Sequence, residues 1–236
     1  MDEIGDDLRA SNAAWTFSGE VPKNFDAHIR KSVPFYAEGH DLVAQLTDYF
    51  IHEDSLVYEL GTSTGQLLKG LADRHSGDGL RFVGVDREAD MIRAAREKCD
   101  ADPRISFEVE ELSQLHFEKC DLVIAYYTAQ FVRPKFRQAL FDRVFEDLNW
   151  GGAFIIFEKV RAPDARFQDM MSALYADYKL RRGYTGEEIV SKTRSLKGIL
   201  EPFSSRANFD MLARAGFKDC MTVMKYVCFE GILAIK

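Results

Sequence analysis

The sequence is short of what would make a chain basic, membrane-spanning, disulfide-stapled or metal-binding. Lys and Arg number 31 against 38 Asp and Glu, a formal charge of −7. That balance argues against a strongly electrostatic grip on nucleic acid, while leaving room for a local basic patch. No apolar stretch approaches the roughly 20 residues needed to cross a bilayer, so no membrane association is expected. The four cysteines, Cys99, Cys120, Cys220 and Cys228, have no paired spacing. The five histidines form no ligand pair either, so no metal site is expected and the thiols read as single, reduced and near the core. The opening residues Met1–Asp7 are acidic and lack the basic-then-apolar order of a secretory signal. The expectation is a cytoplasmic protein. No internal repeat or low-complexity linker breaks the chain.

What is present is alternation. At 236 residues and 46% hydrophobic, the chain suits one domain, 1–236, with a full core. Residues 1–20 are polar and read as partly loose. The spacing in Phe25–Phe50, broken at Pro34, predicts two short helices and closes an N-terminal helical segment, 1–50. Short apolar runs at Leu56–Leu60, Arg81–Val85, Ile105–Val109, Leu122–Ala125 and Ala153–Glu158 read as strands. Helical patterns at Gln66–His75, Glu88–Cys99 and Pro134–Leu148 separate them, the last opening on a proline and stopped by Asn149-Trp150-Gly151-Gly152. Asp164–Arg182 and Thr185–Leu200 read as helices of a cap inserted at 163–203. Asn208–Ala215 is a short helix, and Lys218–Met224 with Tyr226–Ile235 closes as a strand pair. Near-continuous apolar strands alternating with helices imply an α/β fold: a doubly wound, Rossmann-like, mostly parallel sheet.

Val57-Tyr58-Glu59-Leu60-Gly61-Thr62-Ser63-Thr64-Gly65-Gln66-Leu67-Leu68 carries the first functional signal. A strand ends in an acid, turns through two glycines and enters a helix, the place where doubly wound sheets bind ligands. Ser63 stands where the dinucleotide fingerprint needs its second glycine, which argues against NAD or FAD. Glu59 is placed to receive a cationic amine, and Asp86, ending the second strand, to accept both ribose hydroxyls. Each feature alone could be a turn glycine or a helix cap. In this order they point to a nucleoside joined to an amino acid, and S-adenosylmethionine is that ligand.

The sequence resembles the class I S-adenosylmethionine-dependent methyltransferases, and among them the carboxy-S-adenosylmethionine synthases. The likeness runs from Trp15-Thr16-Phe17 nearly to the C-terminus. It includes Lys31-Ser32-Val33-Pro34-Phe35-Tyr36, Val57-Tyr58-Glu59-Leu60-Gly61, Gln130-Phe131, Asn149-Trp150-Gly151-Gly152-Ala153, Glu158-Lys159, Gly183-Tyr184, Glu188-Ile189 and Ala215-Gly216-Phe217. The resemblance implies that Tyr36, Gly61, Asp86, Glu111 and Leu112 line the cofactor site, with Glu111-Leu112 beside the adenine. Glu59 and Ser63 belong to the same turn. It also implies a homodimer.

Two departures redirect the chemistry. The synthases have Asn-Phe-Thr-Leu-Gln-Phe where this chain has Tyr126-Tyr127-Thr128-Ala129-Gln130-Phe131, and Tyr126 replaces a ligand contact. They have Lys-Arg-Ser where this chain has Lys192-Thr193-Arg194, and Thr193 replaces the arginine that pairs with the extra carboxylate. Arg194 lies about 100° away on a helix. A buried carboxylate without its cation costs several kcal/mol, which disfavours the carboxylated product. Tyrosines gather instead: Tyr126, Tyr127, Tyr175, Tyr178 and Tyr184 lie on segments brought toward the cofactor's methyl end. Aromatic faces attract cations by about 2 kcal/mol where water is excluded, and a sulfonium is a cation. Tyr126, Tyr175 and Tyr184 are the candidate catalytic residues. The leading expectation is cyclisation of S-adenosylmethionine to azetidine-2-carboxylate with loss of methylthioadenosine, as in azetidine-2-carboxylate synthases, which the sequence resembles in this respect. The alternatives are methyl transfer to a small molecule, the carboxylated product, or a cofactor sensor without catalysis.

Overall fold

A computed structural model describes residues 2–4, 9–17, 19 and 21–236. Seven strands form the main sheet: β1 (Leu56–Leu60), β2 (Arg81–Asp86), β3 (Ile105–Val109), β4 (Cys120–Tyr126), β5 (Leu148–Lys159), β6 (Asp219–Tyr226) and β7 (Phe229–Ile235). Their spatial order is β3-β2-β1-β4-β5-β7-β6. Pairing is parallel from β3 through β5, and β7 joins β5 and β6 antiparallel. The order reverses between β1 and β4, so their carboxyl ends open a crevice. β1 is buried at every position, as a central parallel strand covered on both faces must be.

Eight α-helices lie among the described residues: α1 (Val21–Ser32), α2 (Tyr36–Thr47), α3 (Gln66–Arg74), α4 (Ala89–Cys99), α5 (Pro134–Asp147), α6 (Ala165–Arg181), α7 (Gly186–Ser195) and α8 (Ser205–Ala215), with a 3-10 turn at Ala129–Phe131 and a separate antiparallel pair, Asp2–Glu3 with Arg9–Ala10. Local signals start several of them. Asp164 caps α6 by accepting the Phe167 N–H. Thr185 and Glu188 close a capping box on α7 through reciprocal bonds of 3.2 and 2.7 Å. One apolar cluster packs β1, β4 and β5 against α5 and α8. The other packs the opposite face against α2 and α3. Helices α6 and α7 follow β5 and stand over the crevice.

Three sequence expectations change. Asn149–Gly152 ends α5 but does not separate it from a later strand. The chain passes straight into β5 at Leu148, with Gly151 N–H and Lys236 N–H bonding to Lys236 and Gly152 carbonyls. The helix expected over Thr185–Leu200 stops at Ser195, and turns follow. The looseness expected of residues 1–20 falls partly outside the described residues. Of those described, residues 11–14 are exposed, whereas Trp15 is buried with its N–H bonded to the Ser195 carbonyl, and Ile4 packs beside it near Leu196 and Ile199. No helix among the described residues is long and apolar enough to cross a membrane.

Candidate active site

The crevice encloses a cavity of about 500 Å³, within the range for a single small ligand. Its floor is the glycine turn. Gly61 (φ +70°) and Ser63 (φ +51°) adopt left-handed backbone, and Gly61 and Thr62 donate their N–H groups to the Val85 carbonyl at 2.7 and 3.0 Å. A Cβ at Gly61 would collide with the Thr128 side chain, so this position needs glycine twice over. The turn is thereby hooked to the end of β2, where Asp86 sits.

Asp86 accepts the Ser63 N–H through Oδ2 and the Glu88 N–H through Oδ1, each at 3.0 Å. Burial raises its carboxyl, and the two backbone donors oppose that rise. Each oxygen keeps lone pairs for a ligand diol. Glu59 ends inside the cavity wall, where the Thr62 hydroxyl donates to its Oε2 at 2.6 Å. Burial pushes its carboxyl up to about 8.

The opposite wall is aromatic. Tyr126 ends β4, and its hydroxyl donates to the Tyr36 carbonyl at 2.8 Å. Its ring is surrounded by His40, Phe157, Tyr127 and Tyr36, with centroids 4.6, 4.8, 4.9 and 5.1 Å away. Burial drives the Tyr36 and Tyr126 hydroxyls above their ordinary range, so they remain protonated. Burial pushes His40 down to about 4, so its ring is neutral. Two buried polar atoms here have no protein partner, His40 Nε2 and Tyr127 Oη.

Of the residues expected at the site, Tyr36, Glu59, Gly61, Ser63, Asp86, Glu111, Leu112, Tyr126 and Tyr175 all line this one cavity. Tyr184 does not. It is buried beside His28, with its hydroxyl 3.4 Å from Nδ1, because Gly183 (φ +86°) turns the chain away after α6. Tyr178 also stays outside, stacked on Tyr175 with centroids 6.4 Å apart. Tyr175 reaches the cavity, but its ring already faces two lysine ammoniums, Lys159 at 4.5 Å and Lys179 at 5.1 Å. Charge repulsion makes that ring a poor seat for a sulfonium.

Sequence reasoning missed those lysines, and it missed the closing strap. Trp15 and Phe17 line the cavity, and Phe17 packs edge-on against Phe131 at 5.1 Å. Thr193 lines the cavity as expected, whereas the exposed Arg194 does not.

The geometry agrees with comparisons to known proteins. A methyltransferase-domain family model matches residues 57–152. Among solved structures, human N-acetylserotonin methyltransferase in complex with SAM superposes with a TM-score of 0.63 at 17% identity, over 93% of this chain. An O-methyltransferase family protein from Burkholderia thailandensis gives 0.65 at 16% over 92%. This chain spans 56% and 59% of those proteins. Sequence relatives are nearer and of matching length. The carboxy-S-adenosyl-L-methionine synthase of Staphylococcus epidermidis is 36% identical over 94% of this chain and 97% of its own. That of Campylobacter lari is 37% identical over 93% and 94%. With the methyltransferase fold and an end-to-end match of this depth, the chain belongs to the family of the carboxy-S-adenosyl-L-methionine synthases.

Proposed function

We propose that this chain consumes S-adenosylmethionine by closing the molecule's own amino-acid tail, giving azetidine-2-carboxylate and methylthioadenosine. The residues present fit that substrate. The Asp86 carboxylate faces the cavity from the end of β2, and Tyr127 Oη and His40 Nε2 are buried there without protein partners. Bound there, S-adenosylmethionine supplies a sulfonium with an electrophilic γ-carbon. In the proposed step a nitrogen–carbon bond forms at that carbon, its bond to sulfur breaks, and the amine's proton goes to Glu59.

One observation carries the reading: the acids of the cavity all lie on one side. Asp26, Glu59, Asp86, Glu88 and Glu111 line the part built by α1 and the ends of β1 to β3. The wall built by the ends of β4 and β5, by α6 and by the turn before β7 presents Tyr126, Tyr127, Lys159, Tyr175 and Lys179, with no carboxylate. His40, held down to about 4, is a weak base at neutral pH. Among the cavity carboxylates Glu59, raised to about 8 and so toward the range of an amine, is the proposed acceptor. Tyr36, Tyr126 and Tyr127 surround the developing charge with rings and exclude water.

A second reading, formation of the carboxylated cofactor, is favoured by the activity for which the relatives are named. The loss of the arginine at Thr193 weighs less against it than the sequence implied, because Lys159 and Lys179 bring cations into the cavity. Incubating the purified protein with S-adenosylmethionine alone separates the two. Methylthioadenosine and azetidine-2-carboxylate forming in equal amounts is the expected result. No methylthioadenosine above an enzyme-free blank, with turnover only after a carboxyl donor or methyl acceptor is added, overturns the cyclisation.

A further inference from the structure

The cavity wall that lacks acids is cationic: Lys159 and Lys179 lie on it, and Arg161, Lys192 and Lys197 also line the cavity. Lys159 ends β5, and Lys179 lies in the last turn of α6. Their ammoniums stand 4.5 and 5.1 Å from the centroid of the Tyr175 ring. We propose that Lys159 and Lys179, braced on Tyr175, form a carboxylate-binding subsite inside the cavity.

Among the described residues neither ammonium has a carboxylate within ion-pair distance. Lys98, another lysine near the site, is paired with Asp26 at 2.7 Å. Lys179 is only 7% exposed. Burial pushes it down to about 8, and the charge of Lys159 adds to that push. Lys159 is lowered by burial as well. Two like charges held in a buried wall are costly unless an anion meets them. Tyr175 eases that cost without neutralising it, since a ring carries no net charge. The Tyr175 hydroxyl donates to the Ser32 carbonyl at 2.9 Å, which fixes the ring. Cys228 lines the same wall but does not serve as the anion, because burial raises its thiol and keeps it neutral.

The cavity is thus polarised, with acids toward β1 and β2 and cations toward β5 and α6. A ligand with an ammonium at one end and a carboxylate at the other matches that polarity. The carboxylate has two sources: the tail of S-adenosylmethionine itself, or a separate small organic acid beside it. The inference rests on the cavity being the S-adenosylmethionine site, but binding tests it without any turnover. A protein that forms no methylthioadenosine can still have the subsite, and the converse holds too.

Calorimetry on the full chain, on Lys159→Met and on Lys179→Met tests the subsite with three probes: S-adenosylmethionine, its decarboxylated analogue, and succinate added to protein loaded with S-adenosylhomocysteine. Loss of one charged contact should weaken the carboxylate ligand about ten- to hundredfold. If the tail is the source, both variants weaken S-adenosylmethionine but not the decarboxylated analogue. If a separate acid is the source, both nucleosides bind all three proteins alike, and succinate binds only the unsubstituted one. Lys179→Arg should restore binding in either case. Lys179→Met should also raise the melting temperature of the ligand-free protein, since it removes a repelling charge. Unchanged binding of every probe in both variants overturns the proposal. So does a lower melting temperature with unchanged affinities, which would mark Lys179 as structural.

Discussion

Replacing Glu59 by Gln tests the proposed chemistry at its proton acceptor. Gln keeps the size of the side chain and one acceptor oxygen for the Thr62 hydroxyl, but gives up the second carboxylate oxygen that the Leu68 N–H also favours. The largest change is in basicity. An ordinary glutamate, near 4.5, is a poor acceptor for an ammonium proton. Raising Glu59 to about 8 narrows that gap by a few pKa units, on the order of 5 kcal/mol. A positioned general base contributes roughly 10²- to 10⁴-fold in rate, and Glu59→Gln should lose that much methylthioadenosine formation at saturating substrate. The sign with pH follows. The basic form grows as pH rises through about 8, so kcat/KM should climb to a plateau above it, and the variant should lack that limb. Stability gives an independent arm. A carboxyl raised in the folded state makes no difference below the unfolded value near 4.5, then costs stability as pH rises toward 8. Melting of the ligand-free protein should therefore fall more between pH 5 and pH 9 than melting of Glu59→Gln. Glu158, also pushed up to about 8 by burial, is present in both proteins and cancels. Turnover within about threefold of the unsubstituted protein would refute the base. Parallel melting curves would refute the raised carboxyl itself.

Asp86→Ala should weaken S-adenosylmethionine and S-adenosylhomocysteine alike, by roughly 1.5–3 kcal/mol for each charged hydrogen bond lost. Calorimetric affinities within twofold of the original would remove Asp86 from the ribose. Tyr126→Phe should keep most activity and lose about 1 kcal/mol of stability with the bond to Tyr36. Tyr126→Ala, which deletes a ring from the cluster, should cost about 3–5 kcal/mol and the activity as well. A Phe variant as inactive as the Ala variant would show that the hydroxyl is required. Gly39→Ala should destabilise, because its Cβ collides with the Tyr126 hydroxyl, an overpacking worth about 1–3 kcal/mol. Tyr126→Phe in the same chain should relieve it, and additive effects in urea unfolding would contradict that contact.

Leu56–Leu60 was legible because a central parallel strand must be apolar on both faces, and it occupies that range. Ile105–Val109, the partly exposed edge strand, was legible instead from the alternation Ile-Ser-Phe-Glu-Val. β5 was legible only in its apolar half. Its first residues, Leu148-Asn149-Trp150-Gly151-Gly152, read as a break because of their asparagine and glycines, yet they are extended because Leu148 pairs with Cys120 and the chain end bonds Gly151 and Gly152, a long-range cause that no local pattern carries. Trp15 and Ile4 were hidden for a similar reason: single apolar residues in a polar stretch give no periodicity, yet they pack beside the turns after α7. Lys179 was hidden by its neighbours. It lies among Arg181 and Arg182 at the end of α6, where basic residues normally face water and complement the helix dipole. Only its packing on Tyr175 shows that this cation turns inward. Tyr184 misled in the opposite sense, since this aromatic residue between the two cap helices packs on His28 and does not line the cavity.

The adjacent tyrosines Tyr126 and Tyr127 pose a geometric problem. Consecutive residues of a strand point to opposite faces, so Tyr126 and Tyr127 should not share a cavity. They do so because β4 ends at Tyr126 and Tyr127 adopts φ +58°, a left-handed conformation rare for a bulky side chain. The Tyr127 N–H is anchored to the Phe157 carbonyl at 2.7 Å, and its ring packs on Phe229 at 5.9 Å. These contacts hold a conformation that costs roughly 1–3 kcal/mol. The product of that expense is a second ring in the cavity and a buried hydroxyl with no protein partner. A purely structural tyrosine would have its hydroxyl bonded, as Tyr126 and Tyr175 do. A left-handed backbone and an unbonded hydroxyl thus meet at one residue lining the cavity, which singles out Tyr127 for the same Phe and Ala substitutions as Tyr126.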